Sequence, residues 1–374
     1  MKAVPFVPCI AAAAVLTLAC GGGTPRRTPA AGGLDTLRLV PADTIGVEYG
    51  DSALVFGMVL SAEADAHGRT LVLDPLLCRL SAFDGRGKLL AAAGGRGSGP
   101  GELQFPMDMA VLEDGRVVVS DMQRSQMCIY DGGLQHEKTL SGFFPTAPMF
   151  LDGACGSLFV AVDMVMDMEA DPPEIRWRAG VWSPDSAGPR TVLASLSTPA
   201  SAAPDPGEPQ EELSVAASDS LVFVGYVSVD RFLVEVYGLD GTPVSTVEKP
   251  WDRMERTPEE RERGGMTLSI TRDNTGESTT EAGRTGEVCP WRSALEQVAA
   301  GPDGRLWVEL GSRPFTPTFE VYDPRSGELE AVVVADSSLA AGRISVSDGG
   351  FLHYDPNPED YPRVVRLVLE ESPR

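Results

Sequence analysis

The sequence predicts an all-β fold, a six-bladed β-propeller of four-stranded blades, and three observations carry the prediction. The stretch from His67 to Asp84 is repeated by Asp114 to Asp131, with Gly68, Asp74 and Asp84 recurring 47 residues later as Gly115, Asp121 and Asp131. Each copy reads as a Gly-closed turn, a β-branched strand, an Asp, and a second strand ending in aromatic-Asp-Gly, so one sheet motif is written twice. A unit of that length cannot bury both of its own faces and must stack on neighbours. Weaker copies follow at Ser157 to Asp163, at Ser220 to Tyr226 with Val234 to Gly241, at Asp303 to Asp323, and from Ile344 through Tyr354 to Leu369, which makes six units. Length agrees: Leu34 to Ser372, less insertions at Ser197–Glu212 and Asp252–Glu287, holds about six periods of 47.

The chain begins with Met1-Lys2, an apolar run from Val4 to Ala19, and Leu16-Thr17-Leu18-Ala19-Cys20 followed by three glycines. This resembles a bacterial lipoprotein signal, which implies cleavage before Cys20 and lipid on that cysteine. Thr17 stands where Leu is usual, which leaves ordinary secretory cleavage as the alternative. The run is too short for a spanning helix. Residues 20–33 then form a lipidated Cys and a flexible tether rich in Pro, Gly and Ala, and residues 34–374 form the propeller. Gly21 after Cys20, by resemblance to proteobacterial sorting, implies the outer membrane, so the expected location is the cell envelope, facing the periplasm or exterior.

Between the first two units, Gly97-Ser98-Gly99-Pro100-Gly101-Glu102-Leu103-Gln104-Phe105-Pro106 resembles the GxGPGEF-x-x-P junction of NHL-repeat propellers, and the following DGR, VVVSD and IYD elements resemble the rest of that repeat. The resemblance covers about one and a half blades. No Lys-Ser/Thr follows the glycines and no helix opens after them, so they read as a structural turn rather than a phosphate loop.

In a blade of four strands, a to d, the b–c loops share one rim with the d–a crossovers. Both insertions, and the b–c segments Asp163–Asp171 and Asp355–Tyr361, fall on that rim, which is the expected functional face. Thr257-Pro258-Glu259-Glu260 is a capping box opening a short helix to about Arg263, ended by Gly264-Gly265. The rest of that insertion shows no apolar periodicity and reads as a mobile elaboration.

The formal net charge is −23, near −24 once Lys2 leaves with the signal. Such a field disfavours nucleic acid and anionic lipid. Cys78, Cys128, Cys155 and Cys289 remain after the signal and lipid site; they allow three disulfide pairings that spacing does not choose among, and no CxxC suggests zinc. No G-x-S-x-G or HExxH is present, and no catalytic residue is identified. Candidate ligand-binding residues are Asp74, Asp121, Arg124, Asp163, Asp167, Arg313, His353 and Asp355. Asp74 and Asp121 recur, which favours turn anchoring, and His353 reads as a packed strand histidine. Asp163, Asp167, Glu169 and Asp171 form a weak candidate Ca²⁺ set that matches no EF-hand.

The function these features lead to is a membrane-anchored, extracytoplasmic binding or scaffold propeller. It is expected to be monomeric, non-catalytic and without cofactor, to take a protein, peptide or glycan at the loop-decorated face, and to meet the membrane through its lipid alone. The alternative is a metal-dependent hydrolase or lyase resembling gluconolactonase-type propellers, whose channel ion takes Glu, Asn and Asp. Only Asn274 and Asn357 are present, both outside the strands.

Overall fold

The computed structural model describes residues 34–153, 156–200, 208–218, 220–263, 265–272, 278–285, 289–312, 315–356 and 358–371. The chain opens with a long strand, β1 (Asp35–Ile45). Four antiparallel quartets follow in chain order. They are β2 to β5 (Ser61–Ala64, Thr70–Asp74, Arg79–Phe83, Leu89–Gly94), β6 to β9 (Pro106–Val111, Val117–Asp121, Gln126–Tyr130, His136–Ser141), β10 to β13 (Met149–Gly153, Phe159–Asp167, Glu174–Trp182, Thr191–Pro199) and β14 to β17 (Glu212–Ala217, Leu221–Val227, Phe232–Gly238, Pro243–Lys249).

An insertion comes next, containing β18 (Met254–Glu255), α1 (Pro258–Arg263), the hairpin β19 and β20 (Gly265–Arg272, Ser278–Thr285), and β21 (Trp291–Arg292). A last, eight-stranded sheet joins β22 to β25 (Leu295–Ala300, Leu306–Leu310, Thr318–Tyr322, Leu329–Ala335) to β26 to β28 (Arg343–Ser347, Gly350–Tyr354, Val364–Glu371) through β1. There β1 runs antiparallel to β28, Leu37 opposite Glu371 and Ile45 opposite Val364, and parallel to β25 over Asp35 to Leu39. The N-terminal strand thus completes the quartet that the C-terminal strands begin, a closure the repeat pattern did not show.

The sheets stack face to face in a propeller-like arrangement because their middle strands are apolar on both sides. β3, β7 and β8 are buried at every position. Alternate residues of one strand therefore enter different cores. Leu71 and Leu73 pack with Val117 and Val119 of the next quartet, whereas Val72 packs with Phe83, Ile45 and Leu352 from the last. Val118 and Ile129 meet Phe159 and Trp182 in turn. Further cores join β11 to β15, β15 and β16 to β22 and β23, and β24 to β26 and β28, so the cores form a closed cycle.

Several expected boundaries move. Ser197 to Pro199 belong to β13 and Glu212 to β14, so the first insertion begins and ends inside the expected Ser197–Glu212 span. Asp163 to Asp167 are strand rather than loop, because β11 and β12 pair continuously from Phe159↔Trp182 to Asp167↔Glu174. In the second insertion the expected capping box and short helix are present, Thr257 and Glu260 exchanging the capping bonds at α1, whereas the remainder expected as a mobile elaboration contains β19 paired with β20 over eight residues. Met266, Leu268 and Ile270 carry the period-two signal that helical periodicity misses. Its base is pinned by β18 pairing with β21 and by Arg292, whose guanidinium grips the buried Glu260 carboxylate at 2.6 and 2.8 Å.

Candidate functional site

The first strand of each quartet, short and bordering the axis, carries a polar side chain that bonds to the next quartet's first strand. Glu63 on β2 accepts the Val111 N–H of β6 at 3.1 Å. Asp108 on β6 accepts the Leu151 N–H of β10, and Asp152 on β10 accepts the Ala217 N–H of β14, both at 2.9 Å. Ser214 on β14 accepts the Val298 N–H of β22 at 3.0 Å. Gln297 on β22 donates to the Ile344 carbonyl of β26 at 2.8 Å, and Ser347 on β26 donates to the Ala64 carbonyl of β2 at 2.7 Å. The chain of bonds returns to its start and lines an axial channel.

Carboxyls dominate that lining. Burial pushes Glu63 well above the ordinary carboxylate range, and the neighbouring Asp152 and Asp108 add to the effect. Asp108 and Asp152 are raised chiefly by burial as well. Towards the other mouth Glu309 is pushed up to about 8 by burial and by Glu296, while Gln297 bonds its carboxylate at 2.8 Å. Arg343 faces both groups of acids and lowers Asp108 and Glu309. Glu63, Asp108, Asp152 and Glu309 lie deep in the protein yet keep partial solvent exposure, and Glu296 is exposed, so water moderates the burial cost. A recess of about 80 Å³ lies at one end, lined by Glu63, Asp65, Asp152, Ser218, Ser347 and Asp348. It has room for water or a small ion and is far below the roughly 300 Å³ of a small-molecule pocket. It opens among the a–b turns, on the rim opposite the insertions.

The residues singled out from sequence are not brought together. Asp74 and Asp121, both buried, are equivalent anchors: Asp74 accepts the N–H groups of Gly57 and Leu77 at 2.7 and 2.9 Å, and Asp121 those of Gln104 and Phe105 at 2.9 and 3.0 Å. Each ties the crossover that enters its own quartet. Arg124 donates to the carbonyls of Ser98 and Glu102 and so clamps the glycine-rich junction. There Gly101 adopts φ +73° with its Cα against His136, where a Cβ would come within 2.7 Å of that ring's own Cβ. The glycines serve the turn.

Asp163 is buried and gripped by Arg178 across the strands, and Asp167 is bonded by Arg176 at 3.0 Å. Glu169 and Asp171 are exposed at the hairpin tip, so the four acids of the weak Ca²⁺ set are split between two cation-paired strand positions and a tip. Among the described residues no group of acids, His and Cys gathers as a metal site. His353 is buried within β27, its ring nitrogen on the Ala341 carbonyl at 2.5 Å, and burial lowers its pKa. Asp355 lies in the loop after β27. Arg313, Cys155 and Cys20 are outside the described residues. Cys78, Cys128 and Cys289 are free thiols, the first two buried in one core.

The channel acids Glu63, Asp108 and Asp152 lie on the first strands, outside the second and third strands where the repeat is strong in the sequence. Their signal is a lone acid inside a short apolar stretch ahead of each turn, as in Ser61-Ala62-Glu63-Ala64 and Met107-Asp108-Met109. Register shows that these acids do not occupy one repeat position: Asp108 stands where Ser61 does, facing Ser120 and Leu73, and Glu63 stands where Ala110 does, facing Leu71 and Val118.

No known family matches the sequence, and no curated protein matches it. Among solved structures, the chain is similar to the PQQ-bound aldose sugar dehydrogenase of Streptomyces coelicolor, at 14% identity and TM-score 0.46, covering 89% of this chain and 98% of that one. It is similar to the virginiamycin B lyase of Staphylococcus aureus, at 11% identity and TM-score 0.45, covering 89% and 99%. It is also similar to the WD40 repeats of RRP9, at 12% identity and TM-score 0.44, covering 88% and 99%. At that distance no function passes to this chain, and its propeller-like arrangement rests on its own sheets and closed cycle of cores.

Proposed function

We propose that this chain is a six-bladed, non-catalytic binding propeller that presents its loop-decorated rim to a protein partner, held in the cell envelope by lipid on Cys20. One observation carries the reading. Among the described residues the exposed aromatic and methionine side chains all lie at one rim, whereas the exposed aliphatic ones are spread over the molecule. Leu34 immediately precedes β1, and Leu90, Val192, Val244, Val368 and Leu369 lie on strands β5, β13, β17 and β28, with Leu90, Val192 and Val244 one residue in from the opposite rim. The others, Tyr49, Leu77, Phe144, Phe150, Met166, Met168 and Met254, all lie at the rim of the b–c loops and d–a crossovers. The opposite rim carries Asp-Gly turns instead, with Asp65, Asp84, Asp131 and Asp240 bonding their own backbone. Aromatic and methionine side chains left in water on one face mark a protein contact surface.

β1 starts at the rim of the Asp-Gly turns, opposite the apolar rim. A photo-crosslinking residue at Phe144 or Met168 in the producing cell is expected to give a discrete adduct, and one at Asp240 none. Equal labelling at both rims, or no adduct at either, defeats the reading.

The electrostatic influence of Asp108 and Asp152 on Glu63 is what a second reading, a divalent-metal hydrolase or lyase worked from the channel, draws on, although among the described residues no group of acids gathers as a metal site. Each of the three already spends an oxygen on a neighbouring blade, which supports a structural role. Metal analysis with melting curves separates the two: a stoichiometric divalent ion whose chelation lowers Tm decides for the enzyme.

A further inference from the structure

We infer that β11 receives an extended, basic segment of a partner protein as an added strand along its inner edge from Asp163 to Asp167. This rests on the binding reading above and names its partner chemistry.

In five quartets the second strand is covered by the first up to its rim-side end. Pro106 faces Asp121, Glu212 faces Val227, Leu295 faces Leu310 and Arg343 faces Tyr354, while Ser61 faces Leu73, one residue short of the end of β3. β11 differs. Its pairing with β10 ends at Met149↔Val162, and five more residues, Asp163 to Asp167, continue with β12 as their sole strand partner among the described residues. The preceding crossover cannot cover them well, because Pro145 and Pro148 lack the N–H a ladder needs.

The bare edge is real hydrogen-bonding capacity. Val162 stands where Leu73 and Ser120 stand, and the Leu73 carbonyl accepts from Leu60 while the Met122 N–H donates to Phe105, both towards the first strand. Strand alternation then aims the N–H and C=O of Met164 and Met166 at the side that no described strand fills. β12 and β13 extend as well, with Glu174 opposite Pro199, so the edge belongs to a three-stranded projection and is held rigid by the Asp163–Arg178 and Asp167–Arg176 ion pairs.

Chemistry around the edge selects the occupant. From Asp163 to Arg178 the hairpin has five carboxylates, Asp163, Asp167, Glu169, Asp171 and Glu174, against two guanidiniums already engaged by Asp163, Asp167 and Glu174. A cationic segment is complementary to that balance. Exposed Met166 and Met168 on the hairpin and Phe150 at the start of β10 supply apolar contact beside it. Phe150 holds φ +53°, a left-handed conformation unusual for a bulky residue, at the start of β10 next to the edge. Strand addition uses the backbone for affinity and alternate side chains for selection, so an alternation of Lys or Arg with Val or Ile fits.

The test uses the full chain and a fluorescein-labelled octapeptide alternating Lys and Val, followed by anisotropy. Saturable binding is expected, weakened at least 10-fold when alternate peptide nitrogens are methylated and when Lys is replaced by Glu. Met166→Pro, which removes an edge N–H while leaving the β11–β12 ladder intact, is expected to weaken binding at least 10-fold, and Met166→Ala to retain most of it. Hydrogen exchange is expected to show new protection at the Met164 and Met166 amides. Should Met166→Pro not fold, the methylated peptide decides alone. Equal binding of methylated and unmethylated peptides, or no binding at all, overturns the inference. A rim adduct at Phe144 or Met168 in that case leaves the binding reading standing; loss of both removes both.

Discussion

At the scale of single residues, a repeated aspartate looks like a ligand and acts as a staple. Asp121 is fully buried and its two oxygens satisfy the N–H groups of Gln104 and Phe105, which close the glycine-rich junction just ahead of β6 and have no strand partner for those donors. Asp121→Ala leaves the buried Phe105 donor unpaired, at about 1–3 kcal/mol, and the part-buried Gln104 donor at less, so a loss of about 1–4 kcal/mol in unfolding free energy is expected. Asp121→Asn keeps one good acceptor and is expected to lose about half as much. Chemical denaturation of both variants checks this; an alanine variant as stable as the parent would show that the crossover is held elsewhere. The role was legible in the sequence because Asp74 and Asp121 recur at one place in the repeat, and a ligand site rarely needs the same residue in successive sheets. The channel acids were not legible in that way. Glu63, Ala110 and Asp152 are equivalents facing Leu71, Val118 and Val160, and their chemistry differs from sheet to sheet.

Among the elements, the second and third strands were readable and the first and last were not, for a physical reason. A strand buried on both faces must be apolar throughout, as Val117-Val118-Val119 is, and such runs repeat visibly. A first strand of four to six residues balances core packing against the channel and looks like loop. β1 was hidden more deeply, since its partners β25 and β28 lie near the other end of the chain. Leu39, fully buried between those partners, is where that closure is anchored. Leu39→Ala is expected to cost about 2–5 kcal/mol, as large-to-small core changes do. Limited proteolysis is expected to find the first new cut within β1, because opening it exposes two strand edges at once. In the insertion, Arg292→Met leaves the buried Glu260 carboxylate without its partner. Cleavage within Pro258–Arg263 is expected to quicken while the global melting point moves little; a large global shift would mean the insertion is part of the core.

For the whole molecule, the same channel that closes the ring sets how stability responds to pH. Burial and Glu296 push the Glu309 carboxyl up to about 8 from its ordinary 4.5, so the folded protein holds a proton that the unfolded chain releases above about 4.5. The stabilisation is complete below that value and is lost as pH rises towards 8. Glu63, Asp108 and Asp152 are raised too and act with the same sign. On the acid side the sign reverses at Glu260, which Arg292 and the Thr257 N–H hold down at about 2 against the cost of burial, so its contribution is present above 4.5 and lost as pH falls towards 2. The unfolding free energy should therefore peak near pH 5 and decline on both sides. Channel water screens the Glu309 shift, so between pH 5 and 8 this residue is expected to account for about 1–2 kcal/mol. Glu309→Gln keeps an acceptor for Gln297 and cannot ionise. Its denaturation profile should be flatter than the parent's above pH 5 and unchanged in slope below 4. Identical alkaline slopes in parent and variant would mean that Glu309 already ionises freely into channel water, and the closed cycle of inner-strand bonds would then owe nothing to a protonated axis.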